Sequence, residues 1–376
     1  MCKLKDNNLK VALATKNGAY LLSPDKNRKN WKLSKPFLVD ENVNKVIDDS
    51  HGTLFAATLS EGVFKSTDGG ESWKSSSKGL NVRKVWEVAA SPHIPGLLYA
   101  GTQYGHLFKS VNSGDTWEEI TSLYAAPDRE NWGIDWGYGT TGLALHTIRF
   151  DPGNQDRIYI VASGNGTYRS DDGGETWKSL KNGLNSTCPV GEKDMSYVKA
   201  GLSPEEALKK HLSDVHSCSH KIVVSPKNGM VFQQNHCGTY FSNDRGDHWN
   251  DVSVSTKLRF GFSIDVVEDP TSSVFVVPVP DTLNECREHN VCIQGQLTVY
   301  RTSDGGKSWD RLTNGLPQNV HTNVLRDCLT HDNSDNHGIY FGTSTGDLYF
   351  SENLGDSWEN VVSGLGRIQG VNAVET

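Results

Sequence analysis

Apolar residues along this chain fall in short β-prone runs that recur in a fixed order, not at helical spacing. One unit has runs at 43–47, 54–58 and 62–65, and the next has them at 85–90, 98–102 and 106–109. Runs of this length, bounded by Gly, Asn, Asp and Ser, predict strands joined by tight turns. Equivalent first runs lie at 146–150, 221–224, 263–267 and 323–329. Each third run leads into an octet, which at 66–73 reads Ser66, Thr67, Asp68, Gly69, Gly70, Glu71, Ser72, Trp73. The glycines tolerate positive φ, Asp68 and the hydroxyls can take up backbone N–H groups, and the Trp offers a large apolar face to a neighbouring layer.

The octet recurs at 110–117, 170–177, 242–249, 302–309 and 351–358, and a degenerate copy at 23–31 keeps Ser23, Asp25 and Trp31 without the glycines. Such a unit cannot bury its apolar face alone, so the repeats must stack. Each repeat supplies four strands, innermost first, with the Trp strand outermost. The first repeat begins at Lys10 without an innermost strand, while 371–375 reads as a strand with no octet after it. The C-terminal strand is therefore expected to complete blade one and remove two free edges, so that residues 1–376 form a single all-β, seven-bladed propeller.

The octet resembles the Asp-box, or BNR, repeat shared by sialidases, sortilin-type receptors, some xyloglucan hydrolases and photosystem II assembly factors. The resemblance covers nearly the whole chain. It implies a β-propeller whose boxes are structural and lie on the face away from the ligand site. Residues 145–148, 233–238 and 341–346 are similar to single-propeller bacterial and archaeal proteins described as sialidase-like or glycosyl hydrolase.

Successive box tryptophans are 42, 44, 60, 72, 60 and 49 residues apart, which puts extra chain in blades four to six. The insertions are 124–142, 185–219 and 278–296. The second contains Ser203, Pro204, Glu205 and Glu206, the start of a capped short helix. All three are expected on the face opposite the boxes, and function is expected there.

A net charge of −8 without a Lys/Arg block lacks the electrostatic footprint of a nucleic-acid binder and makes an anionic membrane surface an unsuitable partner. No apolar run reaches the length of a membrane span, and residues 1–8 contain no apolar signal core. The seven cysteines, at 2, 188, 218, 237, 286, 292 and 328, are an odd number that suits reduced thiols. A cytoplasmic location is the resulting expectation. Cys286 and Cys292 clip their own loop, bind a metal with His289, or remain thiols.

The densest chemistry is His211, Asp214, His216, Cys218 and His220 with His236, Cys237 and His146, of which His211 suits the end of the short helix. Imidazole and thiolate suit a transition metal (zinc, copper or iron), though the spacing matches no standard zinc signature and separately satisfied histidines are the alternative. For glycoside hydrolysis, which needs two carboxyl groups across a bond, the candidates are Glu87, Asp135, Asp265 and Asp327. Trp86, Tyr104, Trp132, Trp136 and Tyr138 are the aromatics for stacking on a ligand, or they cover the insertions' own small core. Arg83, Arg259 and Arg326 enter the upper face from three blades and suit an anionic group. The first-blade Arg-Ile-Pro element typical of sialidases is absent. Three functions follow as expectations: a propeller binding a small molecule, carbohydrate or protein on its upper face, a carbohydrate-active hydrolase, and an assembly or scaffold factor.

Overall fold

The computed structural model describes residues 9–132, 143–184, 203, 218–235, 238–253, 261–279 and 296–376. They form seven antiparallel four-stranded sheets, each ordered along the chain from inner to outer strand except the first. Blade one takes its inner strand from Ile368–Glu375, which pairs with Leu9–Thr15 from Leu9 opposite Glu375 to Thr15 opposite Ile368. The ring thus closes as expected, by a strand that starts three residues before the predicted one. Closure pairs the edges that an open sheet would expose.

The inner strands of blades two to six are Val43–Asp48, Val85–Ala90, Leu145–Asp151, Ser219–Val224 and Gly261–Val266. Blade seven departs from the predicted 323–329. Its inner strand is only Leu329–His331, because a turn (Cys328 N to Leu325 O, 3.0 Å) interrupts the run. Asp327 O accepts instead from Val371 N of blade one at 2.8 Å. The outer strands start just after the box tryptophans and are as short as Lys74–Ser75 and Lys178–Ser179.

The boxes act as self-contained caps. Asp68 Oδ1 accepts from Ser66 Oγ at 2.8 Å and from Ser72 N at 2.9 Å, and Gly70 N donates to Ser66 Oγ at 2.9 Å. Those bonds to Ser72 and Ser66 pull the Asp68 carboxyl down to about 2. Asn112 and Asn353 fill the same role in their boxes. Several box tryptophans couple a blade to the one before it: Trp117 Nε1 donates to Ser76 O at 2.7 Å and Trp249 Nε1 to Leu180 O at 3.1 Å. The second box glycine sits against that earlier blade as well. Gly306, at φ +87°, has room for no Cβ, which would meet Val252 at 2.6 Å.

The degenerate first box holds its turn without glycine. Asp25 accepts from Lys29 N at 2.9 Å and Asn30 Nδ2 at 2.6 Å, while Arg28 takes the left-handed conformation at φ 54°. The predicted helix after Ser203 lies outside the described residues. Of the 124–142 insertion, the described part makes 3-10 turns at Thr121–Ala125 and Arg129–Asn131. No helix among the described residues is long and apolar enough to cross a membrane.

One inner-strand carboxylate is expected to weaken the fold at neutral pH. Burial pushes Asp48 up to about 6 from 3.8, against the bond it accepts from Ser50 N. The folded state therefore holds that proton more tightly than the unfolded chain. The resulting stability is full below pH 4 and is lost as pH rises through 6, by up to about 3 kcal/mol before solvent screening. Asp48→Asn is expected to raise stability by about 1–2 kcal/mol at pH 7.5 and to have little effect at pH 4. Urea unfolding at both values measures it, and an equal effect at the two contradicts it.

Candidate functional site

Five inner strands and the blade-one partner share one irregularity. The register skips Asn44, Trp86, His146, His220, Phe262 and Gln369, a single residue near the start of each inner strand. In a four-stranded blade the inner strand starts at the face opposite the strand-three turn, so these bulges ring the channel mouth away from the Asp boxes. A bulge re-aims its side chain, which is how an apolar strand delivers polar groups to the axis. Asn44 Nδ2 reaches Trp86 O at 2.5 Å, and Trp86 Nε1 donates to Gln103 Oε1 at 2.8 Å. His220 Nδ1 meets Gly261 O at 2.5 Å and the ring stacks on Phe262 with centroids 4.5 Å apart. His146, 1% exposed, contacts Thr147 Oγ1 at 3.2 Å through Nδ1, and its Nε2 has no hydrogen-bond partner. Burial, with Arg326, His220 and Arg149 nearby, holds the His146 imidazole well below its ordinary value.

Below this ring the channel is charged. Lys45 Nζ lies 2.5 Å and Arg149 Nη1 2.9 Å from Glu87 Oε1, bridging blades two, three and four. Asp327 Oδ1 from blade seven is 3.8 Å from Arg149 Nη2 and 4.0 Å from Lys45 Nζ. Lys221 Nζ donates to Leu329 O at 3.2 Å, and His331 Nδ1 lies 2.7 Å from Asp265 Oδ2. Burial raises Glu87 above the usual carboxylate range although Lys45 opposes it. Asp327 is lowered: burial pushes it up, but Lys45, Lys221 and Arg149 outweigh that. Burial alone would pull His331 down, and Asp265 raises it instead.

Of the expected catalytic carboxylates, Glu87 and Asp327 lie in one ion network and Asp265 in an ion pair with histidine. Asp135 lies outside the described residues. Among the aromatics, Trp86 belongs to the mouth and Tyr104 is 61% exposed on a blade-three turn. Trp132 is buried, donates from Nε1 to Tyr168 OH at 3.0 Å and carries Arg129 over its ring at 4.4 Å, so it covers its insertion's own core. Trp136, Tyr138 and Arg259 lie outside the described residues. Arg83 is exposed. Arg326 is half-buried, and its Nε has no hydrogen-bond partner.

Of the metal candidates, His146, His220 and the half-buried thiol Cys218 are described, while His216, His236 and Cys237 are not. No group of three potential ligands is found among the described residues. Cys286 and Cys292 also lie outside them. Lys45, Arg149, Lys221 and His331 escaped the sequence reading. The available signal was a charged residue inside an inner-strand run otherwise apolar.

The BNR/Asp-box repeat model matches residues 168–179. A search of curated protein sequences finds no match. Three solved structures share the fold. An ancestral GH74 enzyme is 19% identical with a TM-score of 0.59, covering 85% of this chain and 38% of its own. YCF48 bound to D1 peptide is 11% identical with a TM-score of 0.51, covering 85% and 81%. Saccharomyces cerevisiae Sqt1 is 15% identical with a TM-score of 0.53, covering 96% and 85%. The chain therefore spans well under half of the GH74 enzyme, and at these identities the likeness is one of fold.

Proposed function

The chain is a seven-bladed propeller of the BNR/Asp-box repeat type, and from that premise we propose that it is a binding module and not a glycosidase. It receives a small-molecule ligand at the channel mouth opposite the boxes. The observation that supports this reading is the engagement of Glu87, Asp265 and Asp327 with Lys45, Arg149 and His331. Glycoside hydrolysis needs one carboxyl group free to donate a proton and another free to attack or to activate water. In Glu87, Asp265 and Asp327 one carboxyl oxygen faces a cation, which works against both roles. The mouth carries polar atoms that the fold itself leaves without partners, at His146 Nε2 and Arg326 Nε, as the channel below does at Glu87 Oε2 and Asp327 Oδ1. Buried polar groups are ordinarily paired, so such atoms suit a ligand or water.

Aryl glycosides incubated with the protein are expected to show no turnover above a protein-free control. Turnover that Glu87→Gln or Asp327→Asn abolishes would overturn the proposal.

A second reading has one observation in its favour. His146 Nε2 is buried and unpartnered with His220 close by, which suits a transition metal shared with His216, Cys218, His236 and Cys237. Elemental analysis of untagged protein tests it. One zinc, copper or iron per chain, lost in His146→Ala, establishes this reading, and trace metal unaffected by the substitution ends it.

A further inference from the structure

Blade seven is built differently from blades two to six where it meets the mouth. In those five the inner strand pairs with its neighbour from its first residue, as in Val43 opposite Thr58 and Leu145 opposite Ala162. In blade seven the pairing begins only at Leu329, opposite Phe341. The closing strand takes up part of what is lost: Ile368 N donates to Thr343 O at 3.3 Å and Val371 N to Asp327 O at 2.8 Å. Residues 324–327 are left with no backbone hydrogen bond to the second strand of their own blade among the described residues. Across the channel their hold is loose. Asp327 Oδ1 lies 3.8 Å from Arg149 Nη2 and 4.0 Å from Lys45 Nζ, and it has no hydrogen-bond partner. On the other side Val324 borders a cleft that it shares with Val277, Pro278 and Leu297 of blade six. Backbone without ladder partners, long ionic contacts and unfilled space mark a segment that opens at less cost than global unfolding.

We propose that residues 324–327 form a gate, a wall of the channel mouth that swings toward the blade-six cleft, with Asp327 as its catch. This rests on the binding reading above, to whose ligand site it gives a side that opens, since the segment carries Arg326 to the neighbourhood of His146. Opening breaks the bond from Val371 N to Asp327 O. The ring stays closed meanwhile, because Ile368–Glu375 keeps its pairing with Leu9–Thr15.

Cys328, at the end of the segment, reports the motion. Its thiol is fully buried, donates to Ile368 O at 3.4 Å and is pushed up by burial, so the closed gate protects it. Iodoacetamide labelling of the full chain at increasing urea, mapped by peptide mass spectrometry, follows Cys328 alone. The labelling rate is expected to be flat at low urea and to join the global-unfolding line only near the transition, because a local opening exposes little surface. In Asp327→Asn the flat rate is expected to rise about tenfold or more, the catch having been weakened. A wild-type rate that follows global unfolding from zero urea upward, or an unchanged or lower flat rate in Asp327→Asn, overturns the proposal. The wild-type curve decides whether or not the variant folds. No ligand enters the assay, so a failed gate leaves the binding-module reading to the glycoside assay.

Discussion

Asp332→Ala is expected to destabilise the protein by about 3–5 kcal/mol, with the ring opening first between blades seven and one. Asp332 is 1% exposed and is held by two residues of its own blade and one from blade one. Its Oδ1 accepts from Ser334 N at 3.0 Å, Ser334 Oγ at 2.5 Å and Arg28 Nη2 at 3.2 Å. Its Oδ2 accepts from Tyr340 OH at 2.7 Å and lies 3.2 Å from Arg28 Nη1. Truncation takes the carboxylate from a nearly buried guanidinium, which keeps only Ser334 Oγ and Asn336 O, and leaves the Tyr340 hydroxyl without its acceptor in a low dielectric. The effect should concentrate at the seam because Arg28 comes from the one box without glycines. Urea unfolding gives the loss, and hydrogen exchange should show Leu9–Thr15 and Ile368–Glu375 losing protection before the other blades. Arg28→Ala should cost a similar amount, and the double substitution much less than the sum. A loss below about 1 kcal/mol, or additive losses, would show that Asp332 does not lock the ring.

Glu87→Ala is expected to have an effect of similar size, about 3–5 kcal/mol, because it leaves Lys45 and Arg149 facing each other with only the more distant Asp327, at 4.0 and 3.8 Å. Lys45→Met combined with Glu87→Gln should recover much of that loss, since removing both members of a buried pair is far milder than removing one. Equilibrium unfolding of the two single variants and the double gives the coupling directly. The same measurement separates two roles for Glu87. A catalytic carboxylate is often held at a cost to stability, so its removal would leave the fold as stable or more so. A structural one shows the predicted loss, and a neutral or stabilising Glu87→Ala would return Glu87 to the list of catalytic candidates.

Both variants touch contacts between blades distant in the chain, and this marks the limit of what could be read from residue order. Strand count, blade order, the box turns and closure by the last strand were legible, because each depends on local chemistry repeated at a period: alternation, turn residues and a tryptophan every few dozen positions. The degenerate box showed the boundary clearly. Asp25 was recognisable, but nothing in its neighbourhood announced that Arg28 would reach Asp332, more than three hundred residues away.

The channel went further beyond local reading. Glu87, Asp265 and Asp327 were legible only as candidate catalytic carboxylates, and whether a carboxylate is free or neutralised depends on which cations the ring brings to it. Lys45, Arg149 and Lys221 stand in separate repeats, and only circular stacking places them on one axis. The sequence by itself determined the repeat and therefore the propeller, since turn chemistry and strand periodicity act over a few residues. The tertiary structure alone decided which charges meet, because Coulomb interactions in a desolvated channel depend on distances across the ring and not on spacing along the chain.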